Sequence, residues 1–338
     1  MRFKKEILII LLTVFLSLLS FGVSANEDVH LILGSGSKPT SSFFPFHATT
    51  NKLIDDAPGI MSTLMVVDGS VGGAMAILRD ENIDITGGLA LTTIYEMTHG
   101  MGMWKDNPLP NDLRVLISYL TTTCPIVVTE SSGVNKISDL DGKIFGMGYQ
   151  GSSSQTLFDA AFKALGFNVR TDQGSFEDAI EDMKDGRLIG YAKATPSVHL
   201  DSAFQDVMLT KKLKIIGWSD SDVKIIKEKA PYVNFVKTPA NHYLGIEHPE
   251  IWDLSMPMVW VCHKDMPEDV AYKIAKSYTE GWEEELLKVF PTMANDNPVD
   301  TPMIASQVEG VLVHPGSLRY FKEIGSEIPS SVIPPEMQ

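Results

Sequence analysis

Gly146-Met-Gly-Tyr-Gln-Gly-Ser-Ser-Ser-Gln-Thr156 is the stretch on which the reading of this chain turns. The short apolar run Lys143-Ile-Phe leads into it. The amphipathic run Leu157-Phe-Asp-Ala-Ala-Phe-Lys-Ala-Leu leads out and stops at Gly166. That order reads as strand, glycine-rich turn, helix. Ser152, Ser153 or Ser154 can cap the helix, whose first-turn N–H groups have no partner within the helix itself. Those donors and the positive end of the helix dipole make a seat for a carboxylate or another anion. The plainer reading is a capped helix after a tight turn, and the rest of the chain has to separate the two.

The same order recurs upstream. Val29-His-Leu-Ile-Leu ends in Gly34-Ser-Gly-Ser-Lys-Pro-Thr-Ser-Ser-Phe-Phe-Pro, before a helical pattern over residues 46–54. The strand over 61–67 ends in Asp68-Gly-Ser-Val-Gly-Gly before a helix over 74–79. A short strand over 83–86 ends in Gly87-Gly-Leu-Ala-Leu-Thr-Thr before a helix towards Gly100. Further strands are expected over 113–120, 125–129, 189–192, 214–218 and 257–262, with Pro231–Ser255 mostly irregular and one helical run over 267–289. Alternating strands and helices make an α/β chain. Ligands of open α/β sheets sit at the carboxyl ends of strands. Small-residue turns at 34–42, 68–73, 87–93 and 146–156 therefore point to a cleft for a small polar ligand.

The totals fit that picture. A chain of 338 residues suits about two domains. With 44% hydrophobic and 21% charged residues it has the composition of a globular protein. The formal charge is −15 and basic residues form no run, which argues against a nucleic-acid partner. Arg2, Lys4 and Lys5 precede an apolar run over 7–19, and Val23-Ser24-Ala25 is a small-residue cleavage signature. Residues 1–25 thus read as a secretory signal peptide, whose removal takes away a net +2 and leaves about −17. The mature chain is expected to be exported, hence periplasmic, and soluble.

Catalytic signatures are missing. Gly34-Ser-Gly-Ser lacks the third glycine of a dinucleotide fingerprint, and neither a phosphate-binding Gly-x-x-x-x-Gly-Lys motif nor a Gly-x-Ser-x-Gly elbow occurs. His242 and His248 flank Glu247 but match no zinc-ligand spacing. Asp139 with Asp141, and Asp178 with Asp182, read as solvated acidic faces. No metal, no cofactor and no enzymatic activity are expected.

Three pieces carry a resemblance: His314-Pro-Gly-Ser-Leu-Arg-Tyr-Phe-Lys-Glu, Asp139-Leu-Asp-Gly-Lys ahead of the Gly/Ser loop, and Gly34-Ser-Gly-Ser with Phe43-Phe44-Pro45 and Gly69-Ser-Val. With them the chain resembles the TAXI family of solute-binding proteins, which serve tripartite ATP-independent periplasmic (TRAP) transporters. The resemblance implies a type II periplasmic-binding fold, two α/β lobes joined by crossing hinge strands with a ligand cleft between them. Lobe I would take 26–122 plus 258–338, and lobe II 123–257. It implies capture of a small organic acid or amino acid, glutamate-like or dicarboxylate-like, for delivery to a TRAP-type permease. Alternatives are the receptor of an ABC importer of the sulfonate or thiamine-precursor kind, and an exported α/β enzyme. The chain departs from the family's usual pattern at several ligand-facing positions. Phe43 and Phe44 stand for two tyrosines, Gly73 for an asparagine, and Ser152-Ser153-Ser154 for Gly-Ser-Gly.

In that cleft Phe43 and Phe44 would form a non-polar wall. Ser37, Ser42, Gly69, Ser70, Thr92 and Thr93 would face the ligand from the first lobe, and Gly151, Ser152, Ser153, Ser154, Gln155 and Thr195 from the second. Lys193 would pair a substrate carboxylate if it points inward; the other reading is a surface lysine at a strand end. The two cysteines, Cys124 and Cys262, are expected near opposite ends of two antiparallel hinge strands, where a disulfide is possible.

Overall fold

Val29–Ser35 (β1) lies between two parallel neighbours, Ile60–Val66 (β2) and Ile85–Ala90 (β3). Its last three residues, Leu33, Gly34 and Ser35, are all buried, as expected for the part of a strand covered on both faces. Helices Phe44–Asp55 (α1) and Gly69–Leu78 (α2) connect these strands, and Leu91–His99 (α3) leaves β3 without an intervening turn. The computed structural model describes residues 28–39, 41, 43–148, 152–172, 174–195, 199–294 and 296–338. The expected signal peptide, Ser42 and Gly151 lie outside the described residues.

Leu113–Thr123 (β4) enters the same sheet, then Ile126–Thr129 (β5) founds a smaller one. In the smaller sheet β5 is flanked by Gly190–Ala192 (β8) and Leu213–Ile216 (β9), both antiparallel to it. Between them run Ile144–Phe145 (β6), Ser153–Leu165 (α4), Arg170–Thr171 (β7) and Phe176–Asp185 (α5). Ser202–Met208 (α6), Asp220–Lys229 (α7) and Asn234–Thr238 (β10) follow. The long strand Ile251–His263 (β11) then returns to the larger sheet, between β3 and β4 and antiparallel to both. The larger sheet therefore reads β2-β1-β3-β11-β4, with β10 on the first half of β11.

The chain crosses between the sheets twice, at 123–126 and again along the first half of β11. Thr123 N–H donates to Thr195 O at 3.2 Å, Thr195 N–H to Thr123 O at 2.9 Å, and Cys124 N–H to Leu254 O at 3.1 Å. A buried carboxylate adds to this. Asp253 Oδ2 accepts from Thr238 Oγ1 at 2.6 Å and from Tyr243 OH at 2.8 Å. The Tyr243 oxygen also lies 2.7 Å from Thr123 Oγ1, so one tyrosine ties the two crossings together.

After β11, helix Glu268–Glu280 (α8) ends at Gly281 in a π turn over Trp282–Leu286, and the last helix is Pro315–Glu323 (α9). The helical run expected over 267–289 is thus present, with its last turns in π and α form after Gly281. Residues 231–255, expected to be irregular, hold β10 and the start of β11. Residues 87–93 are not a turn. Gly87 to Ala90 continue β3 beneath Trp260, whose ring carbons would lie 2.7 Å from a Cβ on Gly87.

The main apolar core runs without interruption from Leu33, Ile85 and Trp260 to Leu157 and Phe158 of α4. A second, smaller cluster, including Val127, Met183, Tyr191 and Phe204, fills the far face of the smaller sheet.

The register of β4 and β11 overturns the disulfide. Cys262 lies opposite Arg114, whereas Cys124 bonds to Leu254. The two are eight residues apart along β11, about 26 Å at the rise of an extended strand. Both are free and fully buried. Burial also raises both thiol pKa values. Thiol titration should accordingly find two reactive groups in unreduced, denatured protein and none in native protein at pH 8. A lack of free thiol after denaturation would refute this placement.

Candidate functional site

Three helix N-termini meet where the two sheets face each other. They belong to α2, beginning at Gly69, to α3, beginning at Leu91, and to α4, beginning at Ser153. The sequence brings them close by small residues. Gly36 in the turn after β1 packs against the start of α2, where a Cβ would sit 2.5 Å from Ser70 N. Ser152 caps α4, its Oγ accepting from Gln155 N at 3.2 Å.

Ser153 is the hub. Its Oγ lies 3.1 Å from Ser70 Oγ, accepts from Ala90 N–H at 3.1 Å, and accepts from Thr93 Oγ1 at 3.3 Å. Thr93 Oγ1 also lies 2.9 Å from Thr156 Oγ1, whose own proton goes to Ser153 O at 2.9 Å. A hydroxyl has one proton and two acceptor sites. One consistent assignment therefore shares the Thr156 proton between the Ser153 carbonyl and Thr93 Oγ1, and runs on from Thr93 to Ser153 and from Ser153 to Ser70. Ser70 O–H is then left as the donor at the end of the chain. All four hydroxyl residues are at most 7% exposed. Thr92, next to Thr93, is buried as well, and its Oγ1 has no hydrogen-bond partner among the described residues.

The electrostatics follow from the helices. Each N-terminus carries a partial positive charge of roughly half an elementary charge. Converging three of them is unfavourable unless acceptors lie between them. The hydroxyl oxygens fill that role here, and a carboxylate would fill it better.

Of the expected ligand residues, Ser70, Thr93 and Ser153 are drawn into one cluster, with Gly69 at its edge and Ser152 capping behind it. Ser154 and Gln155 are half-buried in the first turn of α4. Ser37 closes its own turn, its carbonyl accepting from Ser35 Oγ at 2.8 Å. Phe43 and Phe44 are half-buried at the start of α1, with the Phe43 ring 6.4 Å from that of Tyr119. Thr195 is tied into the crossing, its Oγ1 donating to His199 O at 2.9 Å.

Lys193 is committed elsewhere. Its Nζ lies 2.5 Å from Asp201 Oδ2 and 3.7 Å from the Phe176 ring centre. Burial lowers its pKa, and the Asp201 carboxylate opposes that shift. Asp201 in turn caps α6. The lysine charge is therefore matched within its own half.

The sequence reading missed Ala90 and Thr156. Thr156 had a signal, since it lies one helical turn after Ser153. Ala90 had none, because it contributes only a backbone N–H. The Asp139-Leu-Asp-Gly-Lys piece is local scaffolding. Asp139 Oδ2 accepts from Asn135 and Lys136 N–H at 2.8 and 3.2 Å, and Asp141 Oδ1 from Asn168 N–H at 2.7 Å.

Solved structures share this architecture at low identity. One described as a periplasmic transporter matches with TM-score 0.51 and 12% identity, over 89% of this chain and 98% of the other. MatC from Rhodopseudomonas palustris with bound malate matches with TM-score 0.51 and 10% identity, over 78% and 89%. A protein from Xanthomonas citri bound to ATP matches with TM-score 0.51 and 10% identity, over 87% and 95%. At such identities the likeness shows the fold, which is the type II periplasmic-binding fold. The profile of the NMT1-like family matches residues 37–325. This chain belongs to the NMT1-like family.

Proposed function

We propose that the protein is an exported, periplasmic solute receptor of the TAXI type. It would capture a small organic acid or amino acid, glutamate-like or dicarboxylate-like, and deliver it to a TRAP-type permease. The observation that carries this reading is the meeting of three helix N-termini from both halves on Ser153. A ligand carboxylate seated there would accept from the Ser70 and Thr92 hydroxyls and, on displacing Ser153 Oγ, from the Ala90 N–H as well. Hydrogen bonds to a charged acceptor are each worth about 1.5–3 kcal/mol. Opening and closing would turn on the crossings at 123–126 and 251–256, with lobe I as 26–122 plus 258–338 and lobe II as 123–257. The ligand biases that equilibrium by bridging both halves. Lys193 joins only if a ligand carboxylate displaces Asp201. The cycle is capture and release, with no chemical step.

Calorimetry on the mature protein over a panel of dicarboxylates and amino acids, malate and glutamate included, tests this. At least one should bind, and Ser153→Ala should weaken it tenfold or more, about 1.4 kcal/mol. Unchanged affinity in the variant, or no binding across the panel, refutes the site. The neighbouring genes test the permease. A multi-span permease without an ATPase supports the TRAP assignment, and an ATPase supports an ABC importer.

A further inference from the structure

The loop after β10 is fastened where the chain crosses between the sheets. Its base is closed by Asn241 N–H donating to His248 O and by His248 N–H donating to Asn241 Oδ1, both at 3.0 Å. Within the loop Tyr243 is 1% exposed, and its hydroxyl ties Asp253 of β11 to Thr123. The backbone of Tyr243 is held in turn by the buried ring of His248. Tyr243 N–H donates to His248 Nε2 at 3.2 Å, and His248 Nδ1 lies 2.7 Å from Pro249 O. These two partners fix the protonation of the ring. A carbonyl oxygen only accepts, so Nδ1 carries the proton; a backbone N–H only donates, so Nε2 is bare. The loop as folded therefore holds a neutral imidazole in one tautomer.

From this geometry we infer that the 239–249 loop is an acid-released clasp on the crossings, with His248 Nε2 as the atom that takes up the releasing proton. Protonation puts an N–H on Nε2, directed at the Tyr243 N–H, and leaves two buried donors with no acceptor between them. The loop then has to lift, and the Tyr243 hydroxyl leaves Thr123 and Asp253. The crossing at 123–126 keeps its backbone bonds, Thr123 with Thr195 and Cys124 to Leu254, but loses the tyrosine that ties it to β11. Rotation of the two halves about the crossings becomes easier.

The groups around the ring are few. Asp253 faces it from β11 and favours the imidazolium, whereas His242 on the loop opposes it when charged. Burial raises the Asp253 carboxyl, opposed by the Thr238 and Tyr243 hydroxyls and by the two histidines. Burial also raises the Tyr243 hydroxyl and the Cys124 thiol, so both stay uncharged. Glu247, Glu250 and Lys237 are exposed, the last two paired with each other at 3.1 Å. The clasp concerns the crossings alone and does not rest on the carboxylate-receptor reading.

The test follows the mature protein by heteronuclear NMR and amide hydrogen exchange from pH 8 to pH 5, the range in which an imidazole changes charge. At pH 8 the His248 ring should be the Nδ1–H tautomer. As the ring gains its proton, the protection factor of the Tyr243 amide should fall by up to roughly tenfold per pH unit. The Cys124 amide should follow it, while the amides of β1 keep their protection. His248→Gln, which offers an acceptor to Tyr243 N–H but takes up no proton, should hold both amides constant over the range. His242→Gln should leave the wild-type response in place. Three results would each overturn the clasp: flat protection in wild type, a ring that titrates without loss at Tyr243, or a transition retained in His248→Gln. If that variant does not fold, the match between ring titration and Tyr243 protection in wild type decides alone.

Discussion

Gly316→Ala is expected to be among the most destabilising substitutions in this chain. A Cβ at that position would lie 2.0 Å from the carbonyl oxygen of Glu268 and 2.9 Å from Tyr272 N. Both are backbone atoms of α8, so no side chain can swing aside. Helix α9 would have to move off α8, breaking several contacts between them. These are the Tyr272–Tyr320 pair at 5.8 Å, the Arg319–Asp269 ion pair at 3.2 Å and the Tyr272–Glu323 hydrogen bond at 2.7 Å. The helix start would move with it. His314 N–H donates to Val115 O at 2.9 Å, and the His314 ring nitrogen Nδ1 accepts from Gly316 N–H at 3.1 Å. Displacing a packed helix from a core typically costs about 3 kcal/mol or more. For a chain of this size that corresponds to a melting temperature lower by roughly 4 °C. Denaturant unfolding should show the same loss, and a change under about 1 kcal/mol would mean that the helices are not this close.

The second large effect concerns pH. Glu96 has its carboxyl pushed up to about 7 by burial, from its ordinary value of 4.5. Between those values the folded protein holds a proton that the unfolded chain has released. The stabilisation from this group is thus complete below about 4.5 and is lost as pH rises through 7. Its size is of order 3 kcal/mol across that window. Asp159 shifts the same way, raised to about 6 by burial. Its side chain is exposed, however, so its share is discounted for solvent screening. Urea unfolding at pH 5, 6, 7 and 8 should show wild-type stability falling relative to Glu96→Gln. The variant should be the more stable protein at pH 8, where wild type must hold a buried charge. Parallel curves for the two proteins would refute the assignment.

The sequence was most informative where local chemistry and tertiary role coincide. The turn, cap and amphipathic run from residue 146 to residue 166 became a strand end, a Ser152 cap and helix α4. The strands of the larger sheet were found to within a few residues, although only β3 and β4 are nearly continuous buried runs and β2 is mostly exposed. Pro257 hid the first half of β11. It reads as a place for a strand to begin, yet it sits mid-strand opposite Thr121, beside a register shift between Met258 and Val259. Helix α7 went unread although Ser219 and Asp222 form a capping box at its start.

At the site, the residue types were legible and their partners were not. Serine and threonine at strand ends announce hydrogen bonding, but not with whom. Only the fold shows that Ser70 and Thr93 meet Ser153 and Thr156, and that Lys193 meets Asp201. Glu96 was passed over because one acid on a helix looks the same whether it faces water or a buried seam.

The hydroxyl seam has a consequence for how the protein responds to its surroundings. Ser70, Thr93, Ser153 and Thr156 are uncharged, so their mutual hydrogen bonds hold no ion pair for dissolved salt to screen, and only the partial charges of the helix ends respond to it. Each of their mutual hydrogen bonds is worth only about 1 kcal/mol against the water that would replace it. Parting the seam thus exchanges one set of neutral partners for another at nearly equal free energy. A contact of that kind makes a quiet latch, little moved by ionic strength, and in the proposed receptor it would leave the choice between open and shut to the ligand.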